Sequence, residues 1–193
     1  MILRESHWIF NTSAGASAGL GPVSAETGMF AIKDPTGNSH QYTYTGFGIS
    51  QTWGLSSLLH LSKFALPKII VKKDELSGAG STTDFPSWGT LYLTDVFKGH
   101  DLTNPKALEG GTVYLAGAAG YLFGGAGSLM ILGINRALLV MGIAKPDFIG
   151  AAIRTAPAAL LSGGFNEGLQ DTLGGAYLFG QIEYRGLYSD HAE

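Results

Sequence analysis

Gly15-Ala16-Ser17-Ala18-Gly19 has the Gly-x-Ser-x-Gly form of a nucleophile elbow, in which a sharp strand-to-helix turn exposes a serine hydroxyl. That turn needs several strands laid down before it and a helix after it. Residue 17 comes too early, and Gly19, Gly21 and Pro22 make a poor helix. In so dense an Ala/Gly/Ser tract the match is read as coincidence. The five histidines, His7, His40, His60, His100 and His191, show no metal-ligand spacing. His100-Asp101 reads as a solvated turn, His40 as exposed and His60 as a core histidine. Glu167 and Asp171 share a face if helical, with Glu183 further on. An acid/base pair is conceivable there, but a hydrated helix end is the commoner reading. Gly124-Gly125-Ala126-Gly127 lacks the Lys-Ser/Thr of a phosphate loop. No catalytic, cofactor-binding or metal-ligating residue is assigned, and the chain is read as a non-enzyme.

The spacing that remains belongs to small residues. Ala116, Gly120, Gly124 and Ser128 are four apart, a small-xxx-small ridge in a segment without charge, Gly110 to Asn135. Such a ridge lets backbones approach closely in lipid. Glycine in a regular element costs roughly 0.5–1 kcal/mol relative to alanine, and this segment has eight. Close backbone contact must offset that cost, between helices or within a sheet. Thr112 to Leu115 favours strand by composition, so residues 110–135 are left open between strand and helix.

The elements that position these residues are mostly strands in the first half. Thr27–Lys33 and Ser39–Thr45 flank Asp34-Pro35-Thr36-Gly37, which has the residues of a type I turn, and together they form a hairpin. Ser6–Phe10, Lys68–Lys72 and Thr90–Thr94 read as further strands, with a Ser/Thr/Gly/Pro loop over 77–89. Asn104-Pro105 begins a single helical turn. Beyond residue 110 the chain is apolar. Phe148–Phe165 reads as helix, kinked near Pro157, and Leu173–Tyr184 as a closing strand. The fold expected is a β-rich α+β domain: an antiparallel glycine-rich sheet or barrel with apolar C-terminal helices packed on or within it. One domain covers 1–193, with 1–109 mainly strands, 110–172 apolar and partly helical, and 173–188 the closing strand.

Composition agrees with a folded chain of unusual kind. Of 193 residues 29 are glycine, about twice the usual share. Charged residues are 14%, well under the ordinary value of about 25%. A 45% hydrophobic content excludes disorder. The absence of cysteine excludes a disulfide scaffold. Twelve basic against 15 acidic residues argue against nucleic-acid binding. The first ten residues do not form a secretory signal, so synthesis in the cytoplasm and export without a signal peptide are expected.

Taken together, Ser13–Gly21, Asp34-Pro35-Thr36-Gly37, Gly46-Phe47-Gly48, Asp84-Phe85-Pro86 through Leu93, and above all Ala116–Gly133 resemble the small glycine-zipper, pore-forming antibacterial effectors of the bacterial type VI secretion system. The resemblance implies a toxin that inserts into a target cell's inner membrane from the periplasm and passes ions. It implies carriage by the haemolysin-coregulated tube protein, a cognate immunity protein, target-cell membrane lipid as partner and possible homo-oligomers in the membrane. It implies no cofactor. Arg136, Lys145, Asp147 and Arg154 interrupt the second apolar stretch, which speaks against a simple two-helix span. Two alternatives stand beside this reading: a small β-barrel binding a lipid or other apolar ligand, and a cell-envelope hydrolase using Ser17 or a late carboxylate.

Overall fold

Asp34 organises the turn at residues 34–38. Its carboxylate accepts hydrogen bonds from the Thr36 N–H, the Thr36 hydroxyl and the Asn38 N–H at 2.7–2.9 Å. Gly37 supplies the left-handed backbone at φ +97° that closes the turn. The turn joins β2 (Val23–Lys33) to β3 (Ser39–Ile49), paired without a break from Lys33↔Ser39 to Val23↔Ile49. The structure is a computed structural model and describes residues 1–20, 23–49, 70–72, 88–115, 128–163 and 177–188.

Around this hairpin the other strands close a ring. They are β1 (Ile2–Leu20), β5 (Trp88–Thr94), β6 (Gly110–Leu115), β7 (Ser128–Ile134), β8 (Ala158–Gly163) and β9 (Tyr177–Tyr188). The order β2-β3-β9-β6-β7-β8-β5-β1 returns to β2, so eight antiparallel strands form a closed barrel. The start of β1 extends past the end of β2, and there the short β4 (Ile70–Lys72) pairs with it in parallel. Closure satisfies the backbone groups that an open edge would leave unpaired.

Alternation along the strands divides the side chains into two layers. Trp8, Phe10, Phe30, Ile32, Tyr42 and Leu91 share the interior with Leu93, Tyr114, Met130, Leu132, Leu160 and Ile182. An eight-stranded barrel has an interior just wide enough for such side chains to fill. Outside, Val113, Leu115, Leu129, Ile131, Ala159 and Leu161 form a second buried cluster on β6, β7 and β8. Glycine lets the wall bend. A Cβ on Gly180 would run into the carbonyl oxygen of Thr45 and lie 2.9 Å from the Gly46 Cα, so the backbones of β9 and β3 approach closely there.

The expected apolar C-terminal helices packed on or within the sheet are not found. Described residues of the apolar half, 110–115, 128–134 and 158–163, are strands of the barrel wall. Among the described residues α-helix is confined to the β7–β8 crossover, as α1 (Arg136–Ala144) and α2 (Ile149–Ile153), nine and five residues long. The fold is an antiparallel β-barrel, not α+β. The reason is non-local. Ala158-Ala159-Leu160-Leu161 has helical propensity, but it fills the gap between β7 and β5 and pairs on both edges. Pairing of this kind overrides local preference.

Candidate functional site

One end of the barrel is sealed by the connection between β5 and β6. Leu102 and Leu108 of that connection enter the interior cluster. A 3-10 turn, Pro105–Leu108, starts at Asn104, whose side chain accepts from the Lys106 N–H. Three contacts pin the segment to the strand ends. The Trp8 indole donates to the Leu102 carbonyl at 2.7 Å, and the Tyr42 hydroxyl donates to the Pro105 carbonyl at 2.9 Å. The Tyr184 N–H donates to the Glu109 carboxylate at 3.0 Å.

Asp101 is the hub of this seal. It accepts from the Ser6 hydroxyl at 2.6 Å, the Leu102 N–H at 2.7 Å and the His7 N–H at 3.1 Å, and it meets His7 Nδ1 at 2.8 Å. Arg4 adds hydrogen bonds to the carbonyls of Gly99 and His100. Burial acts to raise the Asp101 pKa, but the Ser6, Leu102 and His7 hydrogen bonds outweigh it and hold the carboxyl below its ordinary value. Ser6 gives its hydrogen bond to the carboxylate, not to an imidazole. The group is therefore a fastening and not a nucleophilic triad. His100-Asp101 was expected as a solvated turn; Asp101 is instead half-buried, while His100 is exposed.

A second polar group lies beside it. His40 was expected to be exposed and is buried. Its Nε2 is 3.0 Å from the Asp34 carboxylate and its Nδ1 is 3.0 Å from the Tyr184 hydroxyl. Its ring leans on Trp8 at 4.9 Å. Hydrogen bonds from Thr36 first, then His40, hold the Asp34 carboxyl far below the usual range. Tyr42 lies between Phe30 and Tyr184, and burial pushes its phenol up, with Tyr184 and Glu109 adding to the effect. An Asp–His–Tyr chain can relay a proton, yet here its partners tie the β2–β3 turn to β9. The missed signal in the sequence was Asp34 six residues before His40, which a hairpin brings face to face.

Most of the sequence-expected sites lie outside the described residues. Ala116, Gly120 and Gly124 belong to the β6–β7 connection and lie outside the described residues. Ser128 opens β7, and its backbone pairs with Ser162. Ser17 sits within the β1–β2 ladder opposite Glu26, not at a strand-to-helix turn. Glu183 forms a surface ion pair with Arg185 at 2.9 Å. His60, Glu167, Asp171 and His191 lie outside the described residues. Among the described residues no cluster of three His, Asp or Glu could hold a metal ion.

The outer surface is two-sided. On β2, β3 and β9 near the sealed end it carries Lys33, Gln41, Thr43, Gln181, Glu183 and Arg185. On β6, β7 and β8 the outward side chains are apolar and buried, and those three strands hold no charged residue. The crossover helices cover part of that apolar sector, with Leu139, Ile149 and Ile153 in its cluster. Between α1 and the outer face of β3, β9 and β6 runs a groove of about 180 Å³, lined by Gly46, Gly111, Arg136, Leu139, Val140 and Gly180 among others.

Fold and site together define a small all-β barrel, sealed at one end, with an apolar outer sector. No protein-family model matches the chain, and no solved structure matches it significantly. The chain is similar to Toxin protein Tse4 of Pseudomonas aeruginosa, 27% identical over 190 residues, with 93% of this chain and 95% of that one covered. The likeness runs through both halves of the barrel sequence, so it is a likeness of the whole chain to a toxin.

Proposed function

We propose that this chain is an antibacterial toxin that inserts into the inner membrane of a target cell and conducts ions. The similarity to Toxin protein Tse4 over nearly all of both chains supports the toxin. In this reading it is made in the cytoplasm, exported by type VI secretion on the haemolysin-coregulated tube protein, and acts from the periplasm as a non-enzymatic single domain. A cognate immunity protein protects the producer.

The crossing is made by strands. No helix among the described residues is long and apolar enough to cross a membrane. A closed barrel has no such need, because its backbone groups are paired around the ring. The observation that carries the reading is the β1–β2 ladder, which runs unbroken through the glycine-rich stretch from Thr12↔Ala31 to Leu20↔Val23. The stretch of β1 from Thr12 to Leu20 is close to the 9–11 residues a tilted strand needs to cross. The four-residue spacing of Ala116, Gly120, Gly124 and Ser128 supports close contact between copies in the membrane.

Dye release from vesicles of phosphatidylethanolamine and phosphatidylglycerol tests the proposal. Purified protein should release dye, and Gly120→Leu with Gly124→Leu should stop release while the soluble fold persists. In cells, toxicity should appear only with periplasmic targeting and should collapse the membrane potential without lysis. Absence of release at every pH and lipid composition refutes the pore. The described barrel interior is filled by side chains, which leaves little room for an apolar ligand, and in this reading ions pass between copies of the barrel and not through its interior.

A further inference from the structure

The crossover between β7 and β8 exposes apolar side chains that its own packing does not require. In α1, Leu139 and Gly142 are buried against the molecule. The opposite rows, Arg136-Val140-Ala144 and Ala137-Met141-Lys145, are exposed along their length. Val140 is 66% exposed and Met141 43%, and Phe148 at the start of α2 is 43% exposed. The two helices pack closely: a Cβ on Gly142 would lie 2.9 Å from the Ile149 Cα, so their backbones are in near contact.

The charge around this patch reverses that of the chain. The crossover carries three basic residues, Arg136, Lys145 and Arg154, against the single acidic Asp147, while the chain as a whole is −3. All four are exposed. Apolar side chains ringed by cations on a short amphipathic element match a bilayer surface with anionic headgroups: the chains enter the acyl boundary and the cations meet phosphate. The same cations also explain why this stretch is not a spanning helix.

We infer that the exposed face of α1 and α2, Val140, Met141 and Phe148 with Arg136, Lys145 and Arg154, is the surface by which the toxin first docks on an anionic phospholipid membrane. The inference rests on the pore reading and adds the recognition step to it. Docking here sets the helices between the lipid and the apolar sector of β6, β7 and β8 that they cover.

The test is flotation of the full chain with vesicles of phosphatidylethanolamine and phosphatidylglycerol, compared with phosphatidylcholine alone, with dye release measured on the same samples. Each basic residue near an anionic surface strengthens binding about fivefold. Arg136→Ser, Lys145→Ser and Arg154→Ser together should therefore weaken flotation on the order of a hundredfold. Val140→Ser, Met141→Ser and Phe148→Ser should abolish it, with the circular dichroism and melting curve of the parent. Phe148→Ser alone should weaken it measurably and serves if the triple variant does not fold. Equal flotation of parent and variants overturns the inference, as does equal parent binding to neutral vesicles. It is overturned too if the parent binds no vesicle and the patch instead retains a protein partner. Release undiminished in both variants removes the docking surface and leaves the pore. Docking without release removes the pore and leaves the surface.

Discussion

Asp101→Ala cuts the fastening that holds the β5–β6 connection across the barrel end. The carboxylate accepts four hydrogen bonds, one from the Ser6 hydroxyl, one from the Leu102 N–H and two from His7. A hydrogen bond to a charged group contributes about 1.5–3 kcal/mol, and the terms do not add. His7 is well exposed, which weakens its share. The net cost expected is about 2–3 kcal/mol, or a fall in Tm of roughly 5–10 °C for a chain of this size. Ser6→Ala removes one of the four contacts and should cost about 1 kcal/mol. If the loss falls on the seal, the seal-open population rises about thirty- to a hundred-and-sixtyfold. Hydrogen exchange at the Trp8 indole N–H reads this directly, because that proton is held on the Leu102 carbonyl. Exchange there should accelerate by that factor. A lower Tm with unchanged Trp8 exchange refutes the assignment of Asp101 to the seal.

Asp34 and Asp101 both have carboxyls depressed in the folded chain. Their stabilisation is complete above the unfolded carboxylate pKa of about 3.9 and is lost as pH falls through the folded values. Melting temperature should therefore drop below about pH 4, and Asp34→Asn should flatten that drop; an unaltered acid limb contradicts the role. Gly180→Val drives a side chain into the β3 backbone and should cost about 3 kcal/mol or more. Gly37→Ala meets no atom within 4 Å and bears only its positive φ, about 1 kcal/mol; urea midpoints that fail to separate the two contradict the close approach of β9 and β3. Tyr42→Phe leaves the Pro105 carbonyl without its donor and should cost about 0.5–1.5 kcal/mol, read from the same midpoints.

The hairpin around Asp34 was legible because its signal is local: turn residues between two alternating runs. So was the turn at Asn104-Pro105, where cap and proline fix the start. Strands were found at Ser6–Phe10 and Thr90–Thr94 inside the longer β1 and β5. Residues 158–163 read as helix because spacing in Ala-Ala-Leu-Leu reports propensity, and nothing nearby announces β5 and β7 on either side. The seal was invisible for the same reason. Ser6 and Asp101 are ordinary polar residues until the barrel closes and brings them within 2.6 Å. His40 misled in the opposite direction. A histidine just after a turn is usually solvated, but here the turn's own aspartate and Tyr184 satisfy both ring nitrogens.

The central claim is that a closed barrel crosses the membrane with its strands. The chain has no cysteine, so introduced pairs report cleanly. Thr90→Cys with Leu161→Cys, and Val113→Cys with Phe179→Cys, face each other on β5–β8 and β6–β9, the two seams that bound the apolar sector. Single-channel recording in planar bilayers of phosphatidylethanolamine and phosphatidylglycerol, with both seams stapled and then reduced, decides the matter. The account predicts discrete conductance steps of the same size in both states. Steps seen only after reduction would show that the sector must leave the barrel, and no steps in either state would show that the protein is not a pore.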